Sequence, residues 1–375
     1  MPEPLLRHRQ TLAGTGLLPG LALLMVLALT GCTDPAGALW EDYLQRLERL
    51  TGTELEAAAP RARTAYPRRR ELQRPLPDLR TGMGRYFDLA RCDMMGLVSR
   101  RNSVLSRVQE DSLRLGYELR FVALGQQCLD EGRLEERPEQ QRWLEEILDA
   151  KRNMLPDLYW NLSLAGDEFR DFFSRGGQAT ASGNLPQGTQ LATVLESMAE
   201  QARRIREGPL PDNTGHLEAD LKKLSRSDAG GSLLAAMAVA EDGLNRGAAM
   251  LEATDPEALC PEGRPLEQAR YLNNVFENIY GERVQPWLAA TWREMDRLGT
   301  AVRALYRAQQ SVEAEGNQNT EAPLRTWMEA HFIGDDSLDA DARRAMDRHT
   351  EAWQRLLDHC DMAPGQQEQP TQPMP

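Results

Sequence analysis

The hydrophobic residues of this chain recur at the spacing of helices rather than strands. From Leu39 to Leu50, apolar side chains return every three or four positions, which places them on one face of a helix. The same pattern predicts further helices, over residues 79–107, 111–131, 138–164, 191–206, 217–224, 233–251, 266–280, 327–332 and 339–359. No stretch alternates apolar and polar residues for a useful length. The sequence therefore predicts an all-α, multi-helix bundle.

Prolines interrupt this pattern at two places. Residues 60–80 contain repeated prolines and many arginines, so they predict an irregular segment near the N-terminus rather than a long helix. Pro156 lies inside the predicted helix over 138–164, where it should kink the helix or split it. A cluster of phenylalanines follows, at Phe169, Phe172 and Phe173, and predicts a short amphipathic turn.

Polar stretches suggest how the chain is divided. The region over 39–360 reads as one helical domain, with a possible sub-boundary in the loop 176–188, which is rich in Gly, Ser and Thr. Residues 313–323 predict a polar loop. The Pro- and Gln-rich end, 361–375, predicts a disordered tail.

A heptad repeat gives the clearest periodic signal. Apolar or small residues recur every seven positions in two series, Leu288, Met295 and Val302 with Val284, Thr291, Leu298 and Leu305. This spacing predicts a coiled-coil-like seam over 284–305. The seam either packs inside the protein or forms a surface for a partner. A Leu298→Asp substitution should unfold the domain in the first case and remove only the partner in the second.

The N-terminus predicts a secretory signal. Arg7 and Arg9 precede an apolar run over 17–29. That run is shorter than the roughly 20 residues that span a bilayer, so it indicates a cleaved signal peptide over 1–31 rather than a membrane helix. No later apolar run is long enough to span a membrane, so the rest of the protein is expected to lie outside the bilayer.

The signal ends in a sequence that predicts lipidation. Leu29-Thr30-Gly31-Cys32 resembles the bacterial lipobox, in which the peptidase cuts between Gly31 and Cys32 and the thiol carries acyl chains. Each buried methylene contributes about 0.8 kcal/mol and stable anchoring needs more than one chain. Residues 32–38 then form a lipidated tether. Thr33, rather than Asp, favours the outer membrane over the inner one. An ordinary cleaved signal with an incidental cysteine is the other interpretation.

Four cysteines remain after Cys32 is used. An even number in an oxidising compartment predicts two disulfides with three possible connectivities. Cys92 and Cys128 each lie 18 residues from Glu110, so an antiparallel hairpin centred there would place them at the same height and allow a bridge. Cys260 would then pair with Cys360. The other pairings remain open, and a Cys92–Cys260 peptide in non-reducing mapping would exclude this arrangement.

The charge of the chain argues against nucleic acid as a partner. The net charge is −13 at pH 7, whereas nucleic-acid binding requires clustered Lys and Arg. The one basic stretch lies over residues 60–80 and contains Arg68, Arg69 and Arg70. These guanidinium groups suit phosphate or carboxylate groups, so they form a possible anionic-ligand surface. The other interpretation is that they lie against the protein's own acidic helices.

The sequence contains no recognisable catalytic or metal-binding constellation, and we expect no cofactor and no metal. His349 and His359, beside Cys360, could be read as metal ligands, but His359 also suits the last turn of a helix. The acidic run over 335–341 lacks the Gly and Glu of an EF-hand loop and suits helix capping better. Trp160, Trp287 and Trp292 are expected in the core or the seam. Paired carboxylates are too common here to single out a hydrolase site.

Several blocks together resemble one family. They are Tyr66-Pro67-Arg68-Arg69-Arg70-Glu71-Leu72, Pro75-Leu76-Pro77-Asp78-Leu79-Arg80, Tyr117-Glu118-Leu119-Arg120-Phe121, Trp160-Asn161-Leu162, Phe169-Arg170-Asp171-Phe172-Phe173, Asn274-Val275-Phe276 and Gln285-Pro286-Trp287-Leu288-Ala289. In order they are similar to an uncharacterised family of gammaproteobacterial lipoproteins, domain of unknown function 3080. The resemblance covers nearly all of the mature chain. It implies a Gram-negative envelope and a lipidated Cys32, and assigns no catalytic or binding residue.

These observations favour a periplasm-facing, lipid-anchored and disulfide-stapled helical protein. Its expected role is an interaction or scaffold module that contacts the membrane through its anchor and another envelope protein through its body. A binding protein for an anionic lipid or cell-wall fragment is the alternative, based on the arginine stretch. An envelope hydrolase is a third hypothesis, and it requires a cleft with perturbed carboxylates.

Overall fold

The computed structural model describes residues 35–54, 63–79, 89–101, 111–185, 187–211, 214, 216–310 and 318–363. Within these ranges the chain is helical and forms no strand, which confirms the all-α prediction. The predicted signal peptide, the lipobox with Gly31 and Cys32, and most of the predicted tail lie outside them. None of the helices in this part of the chain is both long and apolar enough to cross a bilayer.

The helices follow one another with short connections. They are α1 Pro35–Thr51, α2 Arg69–Leu72, α3 Met95–Arg101, α4 Asp111–Asp130, α5 Pro138–Leu162, α6 Asp167–Ser174, α7 Gly188–Glu207, α8 Leu217–Arg226, α9 Ala229–Glu252, α10 Pro256–Leu259, α11 Glu267–Val275, α12 Gln285–Glu294, α13 Thr300–Gln309, α14 Gln318–His331 and α15 Leu338–His359. Helix α1 begins within the predicted tether, because a proline suits the first helical turn, where its missing N–H has no partner to lose.

The largest hydrophobic core lies between the second half of α5 and helices α6, α7, α8, α13 and α14. Large aromatic side chains are fully buried there, among them Trp160, Phe169, Phe172 and Trp327. Their rings contact one another, as in the 4.7 Å approach of Phe173 to Trp327. The phenylalanine cluster therefore forms helix α6, as the sequence predicts, and Trp160 is a core residue.

A second core lies between α1, most of α9, α11, α12 and α15. Helix α9 is rich in alanine and glycine and is buried along most of its length, so its neighbours approach closely. A Cβ atom at Gly243 would lie 2.2 Å from the Trp40 ring of α1. Because the first turns of α9 belong to the largest core and its later turns to the second, this one helix joins the two.

A third and smaller core packs α4 against the first half of α5 and the segment Leu89–Arg101. Cys92 and Cys128 are bonded across it, with their Cα atoms 5.2 Å apart. A second disulfide joins Cys260 to Cys360 with Cα atoms 5.4 Å apart, and it ties the end of α15 to the turn after α10. Both predicted pairings are confirmed.

The heptad seam packs inside the protein. Val284, Leu288, Leu298 and Val302 are each at most 1% exposed. The helix over Glu267–Gln309 is not a regular coiled coil, because wider π-helical turns occur over Phe276–Val284 and Met295–Gly299. Each such turn shifts the following side chains around the helix axis. The seam therefore changes neighbours along its length and contributes to both large cores.

The long helix predicted over 79–107 is wrong in its described part. Residues Leu89–Cys92 form a 3₁₀ turn, and a separate helix follows at Met95–Arg101. Between them Asp93 has φ of +58°, a left-handed conformation that ends a helix and that Asp tolerates better than most residues. Residues 80–88 and 102–110 lie outside the described ranges.

The predicted polar loop over 313–323 is also wrong at its C-terminal end. Helix α14 begins at Gln318 and includes Pro323, so the helix is longer than the predicted 327–332. Glu321 in the first turns is buried and is paired with Arg74. This tertiary ion pair fixes a turn whose local sequence is polar. Residues 311–317 lie outside the described ranges.

The loop over 176–188 is packed against the body. Ala179 contacts the second core and Leu185 the largest core, both buried, and Trp287 Nε1 donates to the Thr180 carbonyl at 2.9 Å. Pro156 does not split its helix, since α5 continues through it to Leu162. Buried Leu155 and Leu158 on either side hold that part of α5 in the core.

Candidate functional site

The three predicted arginines lie in and just before the single turn of α2. Arg68 pairs with Glu71 at 3.1 Å, and the Arg68 backbone N–H also donates to Glu71, which lowers the pKa of that carboxyl. Arg69 reaches Asp167 at the start of α6, at 3.3 Å. Arg68 and Arg70 are exposed and Arg69 is half-buried. Two of the three thus contact the protein's own acidic side chains, and Arg69 also borders a cleft.

Arg74 of the same basic stretch is buried in the protein, with 3% of its surface exposed. Its guanidinium donates to Asp157 at 2.9 Å and to Glu321. It also lies 4.0 Å from the centre of the Trp160 ring. Burial lowers the pKa of Arg74, while the two carboxylates favour its charged form. This side chain clamps the irregular segment between α5 and α14.

Further hydrogen bonds fix that segment on the end of α5. The Asn161 side-chain amide both accepts from the Arg74 backbone N–H and donates to the Arg74 carbonyl, each at 2.8 Å. Trp160 Nε1 donates to the Leu72 carbonyl at 2.7 Å, and the Tyr66 hydroxyl donates to the Leu164 carbonyl at 2.6 Å. The backbone of α2 is therefore held in place, and with it the starting point of the Arg69 side chain.

A cleft of about 510 Å³ opens where α2, α4, α5, α6 and α8 meet. This volume is in the range of small-molecule sites. Its lining is mostly polar and includes Arg69, Ser112, Glu168, Glu218, Lys222 and Ser225. Leu162 and Leu221 supply apolar contacts. The cleft therefore suits a small polar ligand.

The first turn of α6 borders the cleft. Gly166 precedes it as the N-cap, and no side chain caps this end. The N–H groups at the start of a helix have no partner within the helix and carry partial positive charge. A side chain at Gly166 would collide with the Leu162 carbonyl, 2.5 Å from the Cβ position. The glycine thus keeps the helix end close to α5 and open to an anionic group.

Several polar groups in the cleft have no partner among the described residues. The Ser112 side chain is 6% exposed, and neither its hydroxyl nor the charged ends of Glu218 and Lys222 make a hydrogen bond or ion pair there. A buried hydroxyl without a partner is costly. Glu218 and Lys222 stand four positions apart on α8 in the order that normally favours pairing. These groups are positioned to contact a ligand.

The buried carboxylates outside the cleft are already paired. Asp220 lies 2.9 Å from Lys223 and Glu294 lies 3.1 Å from Arg297, and Glu118 and Glu321 contact Lys151 and Arg74. Burial raises the pKa of Asp242, with Arg246 opposing it. These pairs stabilise charges in the interior, and this arrangement gives the hydrolase hypothesis no specific support.

The candidate metal ligands are explained by helix ends. The Ser337 hydroxyl accepts from the Ala340 N–H at 3.3 Å and so caps α15, and Asp339 pairs with Arg343 at 2.9 Å. His359 lies in the last turn of α15, 3.2 Å from Glu257. Within the described part of the chain, no cluster of three or more His, Cys, Asp or Glu residues could hold a metal ion.

The sequence identified one wall of the cleft and missed the others. Arg69 belongs to the predicted arginine surface, whereas Arg68 and Arg70 do not line the cleft. Ser112, Glu218 and Lys222 were not predicted, because each sits in an ordinary amphipathic helix and carries no motif. Only the tertiary fold brings these three side chains together, and no local pattern marks them.

Comparison with known proteins gives a family without an assigned activity. The model of a family described as "Protein of unknown function (DUF3080)" matches residues 40–364. Comparison with curated proteins found no match, and neither did comparison with solved structures. The match begins in α1 and ends just beyond α15, so it includes all five elements of the cleft. The chain belongs to the DUF3080 family of proteins of unknown function.

Proposed function

We propose that this chain is a lipid-anchored protein of the bacterial envelope whose polar cleft binds a small ligand with an anionic group. The cleft carries the proposal. It combines Arg69, Lys222 and the buried Ser112 hydroxyl with the uncapped start of α6. Arginine and lysine recognise carboxylate and phosphate groups, and an open helix N-terminus favours the same groups.

The sequence supports the anchored location. The lipobox cysteine, Cys32, stands three residues before Pro35, where α1 begins. Three residues span about 10 Å when extended. Helix α1 is itself packed into the second core, so lipidation at Cys32 would hold the protein body close to the bilayer. On this proposal the body faces the periplasm, with the outer membrane favoured by Thr33.

An interaction module is the second candidate. The buried seam over 284–305 does not supply a partner surface, so this candidate depends on another site. Leu266 and Tyr271 are 50% and 52% exposed. Tyr271 borders a groove of about 470 Å³ between α1 and α11, which Arg46 and Arg49 also line. Another envelope protein could contact this exposed surface.

Native mass spectrometry of the full protein, released gently from membranes, tests the proposal. We expect the mature chain to carry acyl chains and a small non-covalent ligand. The double variant Arg69→Gln/Lys222→Gln should keep the acyl chains and lose the ligand. Arg203→Gln is the matched control, because Arg203 is also partly exposed and paired with an acidic residue, Glu200, at 2.7 Å, but lies on α7 outside the cleft.

Each part of the proposal can fail separately. A Cys32→Ser protein should lack the acyl mass, and an unchanged mass would refute the anchor. A wild-type protein without a small ligand, or a ligand that persists in the double variant, would refute the binding site. A protein adduct at fixed stoichiometry, without a small ligand, would favour the interaction module instead.

A further inference from the structure

The charges around the cleft point to a more specific ligand. We infer that it takes a zwitterion, a molecule with an anionic oxygen group and an ammonium group a few atoms apart. This inference rests on the proposed binding function and adds the second, positive group. It is based on the two acidic side chains that line the cleft beside the two basic ones.

The anionic end has a defined set of donors. Arg69 borders the cleft on α2, and its backbone is fixed by the bonds that hold the irregular segment on α5. The open start of α6 provides backbone N–H groups nearby. The hydroxyl of Ser112, buried and without a partner in the described chain, can donate to the same group. Carboxylate and phosphate oxygens accept such bonds equally well.

The cationic end requires an acidic group that the protein leaves available. Glu218 lines the cleft and makes no ion pair among the described residues. Its natural neighbour on the helix, Lys222, stands four residues on and does not pair with it. Glu168 lines the cleft too, and its carboxylate folds back toward Gly166, 3.2 Å from the Cβ position there. Glu218 is therefore the better partner for an ammonium group.

The balance of charge argues against other ligand classes. Arg69 and Lys222 are offset by Glu168 and Glu218, so the charged lining sums to zero. A polyanion would meet two carboxylates, and like charges at short range repel. A ligand that carries both signs satisfies all four side chains. The two leucines of the lining offer too little apolar surface for an acyl chain, so the ligand is a short peptide with free termini or a phosphoethanolamine headgroup.

Isothermal titration of the full protein with five probes tests this inference. Dialanine carries both charges, N-acetyl-dialanine only the negative one and dialanine amide only the positive one. Glycerophosphoethanolamine and glycerol 3-phosphate form the corresponding pair for a headgroup. In one of the two series we expect the zwitterion to bind about tenfold more tightly than its singly charged relatives, since it gains one charge-assisted contact. The series that shows this preference identifies the source.

Matched glutamate variants assign the effect to the cleft. In Glu218→Gln the zwitterion should bind no better than the purely anionic probe, whose affinity should stay unchanged. Glu139→Gln is the control, because Glu139 is also exposed in the first turn of its helix, α5, but does not line the cleft. Thermal melting of both variants checks that each remains folded.

The outcomes separate this inference from the proposed function. If the anionic probe binds as tightly as the zwitterion, the inference is wrong and the binding function stands. If the zwitterion is preferred equally in Glu218→Gln, a different group binds the ammonium and the assignment is wrong. If none of the five probes binds at millimolar concentration, the inference and the proposed binding function both fail.

Discussion

At the scale of single residues, similar side chains in one sequence stretch have different roles. Arg68, Arg69, Arg70 and Arg74 lie within seven positions. Arg68 and Arg70 face solvent, Arg69 borders the cleft, and Arg74 is buried between two carboxylates. The difference comes from Asn161 and Trp160, which are distant in sequence and bind the backbone on either side of Gln73.

Arg74→Ala should destabilise the protein strongly. The substitution leaves the Glu321 carboxylate, 5% exposed, without its partner, and breaking a buried ion pair in this way costs about 3–5 kcal/mol. Urea unfolding measures the loss. Adding Glu321→Gln should restore part of it, since a neutral amide is cheaper to bury than a charge. Additive losses in the double variant would show that the ion pair is not the cause.

A second residue-scale feature is the buried histidine of α15. The Tyr43 hydroxyl lies 2.7 Å from His349 Nε2 and accepts a hydrogen bond from Trp353 Nε1 at 2.9 Å. Because the tyrosine oxygen already accepts, its own proton points to the histidine, so the ring is neutral with its proton on Nδ1. Burial lowers the pKa of His349 from 6.5 to about 3.

This histidine makes stability depend on pH. Between pH 6.5 and about 3 the unfolded chain binds a proton at His349 that the folded chain does not. Stability therefore falls as the pH falls through this window, by about 1.4 kcal/mol per pH unit from this group. Urea unfolding at several pH values should show a steeper slope for the wild type than for His349→Gln, which keeps an acceptor but does not titrate. Parallel curves would contradict the prediction.

At the scale of elements, close helix packing depends on the glycines of α9. The backbone of α9 approaches the Trp40 ring of α1 at Gly243, and it approaches α6 at Gly231, where a Cβ atom would lie 1.5 Å from the Arg175 carbonyl oxygen. These contacts leave no room for a side chain. They allow α9 to contact the elements of both large cores.

Gly243→Ala should therefore destabilise the protein, although alanine favours helices. A tryptophan ring at 2.2 Å must move, and overpacking of a core costs about 1–3 kcal/mol. Gly96→Ala is the control: Gly96 is also inside a helix, α3, but has open space around it, so it should gain up to about 1 kcal/mol. Thermal unfolding compares the two. Equal shifts would show that the contact with Trp40 is not limiting.

Element predictions succeeded where local periodicity decides and failed where tertiary contacts do. The amphipathic helices α7 and α15 and the buried seam follow directly from apolar spacing. The break at Asp93 and the early start of α14 do not, because one depends on a left-handed residue and the other on the buried Arg74–Glu321 pair. The cleft was missed for the same reason, since its walls come from five separate elements.

At the scale of the whole molecule, the two disulfides close different parts of the structure. The Cys92–Cys128 bridge lies in the third core, and Cys260–Cys360 lies in the second. The first pairing was predicted from a helical hairpin, although Cys92 lies in a 3₁₀ turn rather than in a long helix. The prediction held because α4 still brings Cys128 back beside that turn, which requires only the right height and not a continuous helix.

Loop length ranks the contributions of the two bridges. The Cys260–Cys360 bridge closes 100 residues and the Cys92–Cys128 bridge closes 36. In the chain-entropy model these contribute about 5 and about 4 kcal/mol. Replacing both cysteines of a pair by alanine, which leaves no free thiol, should therefore cost more at Cys260 and Cys360. Urea unfolding of the two double variants measures the difference.

The location of each bridge adds a second expectation. The Cys260–Cys360 pair is remote from the cleft elements, whereas Cys128 lies on α4, which supplies Ser112. Removing the first pair should leave ligand binding unchanged under conditions where the variant is folded, because the largest core keeps α5, α6 and α8 together. Removing the second pair frees one end of α4 and should weaken binding through Ser112. The reverse order of effects on binding would show that the second core, not α4, controls the shape of the cleft.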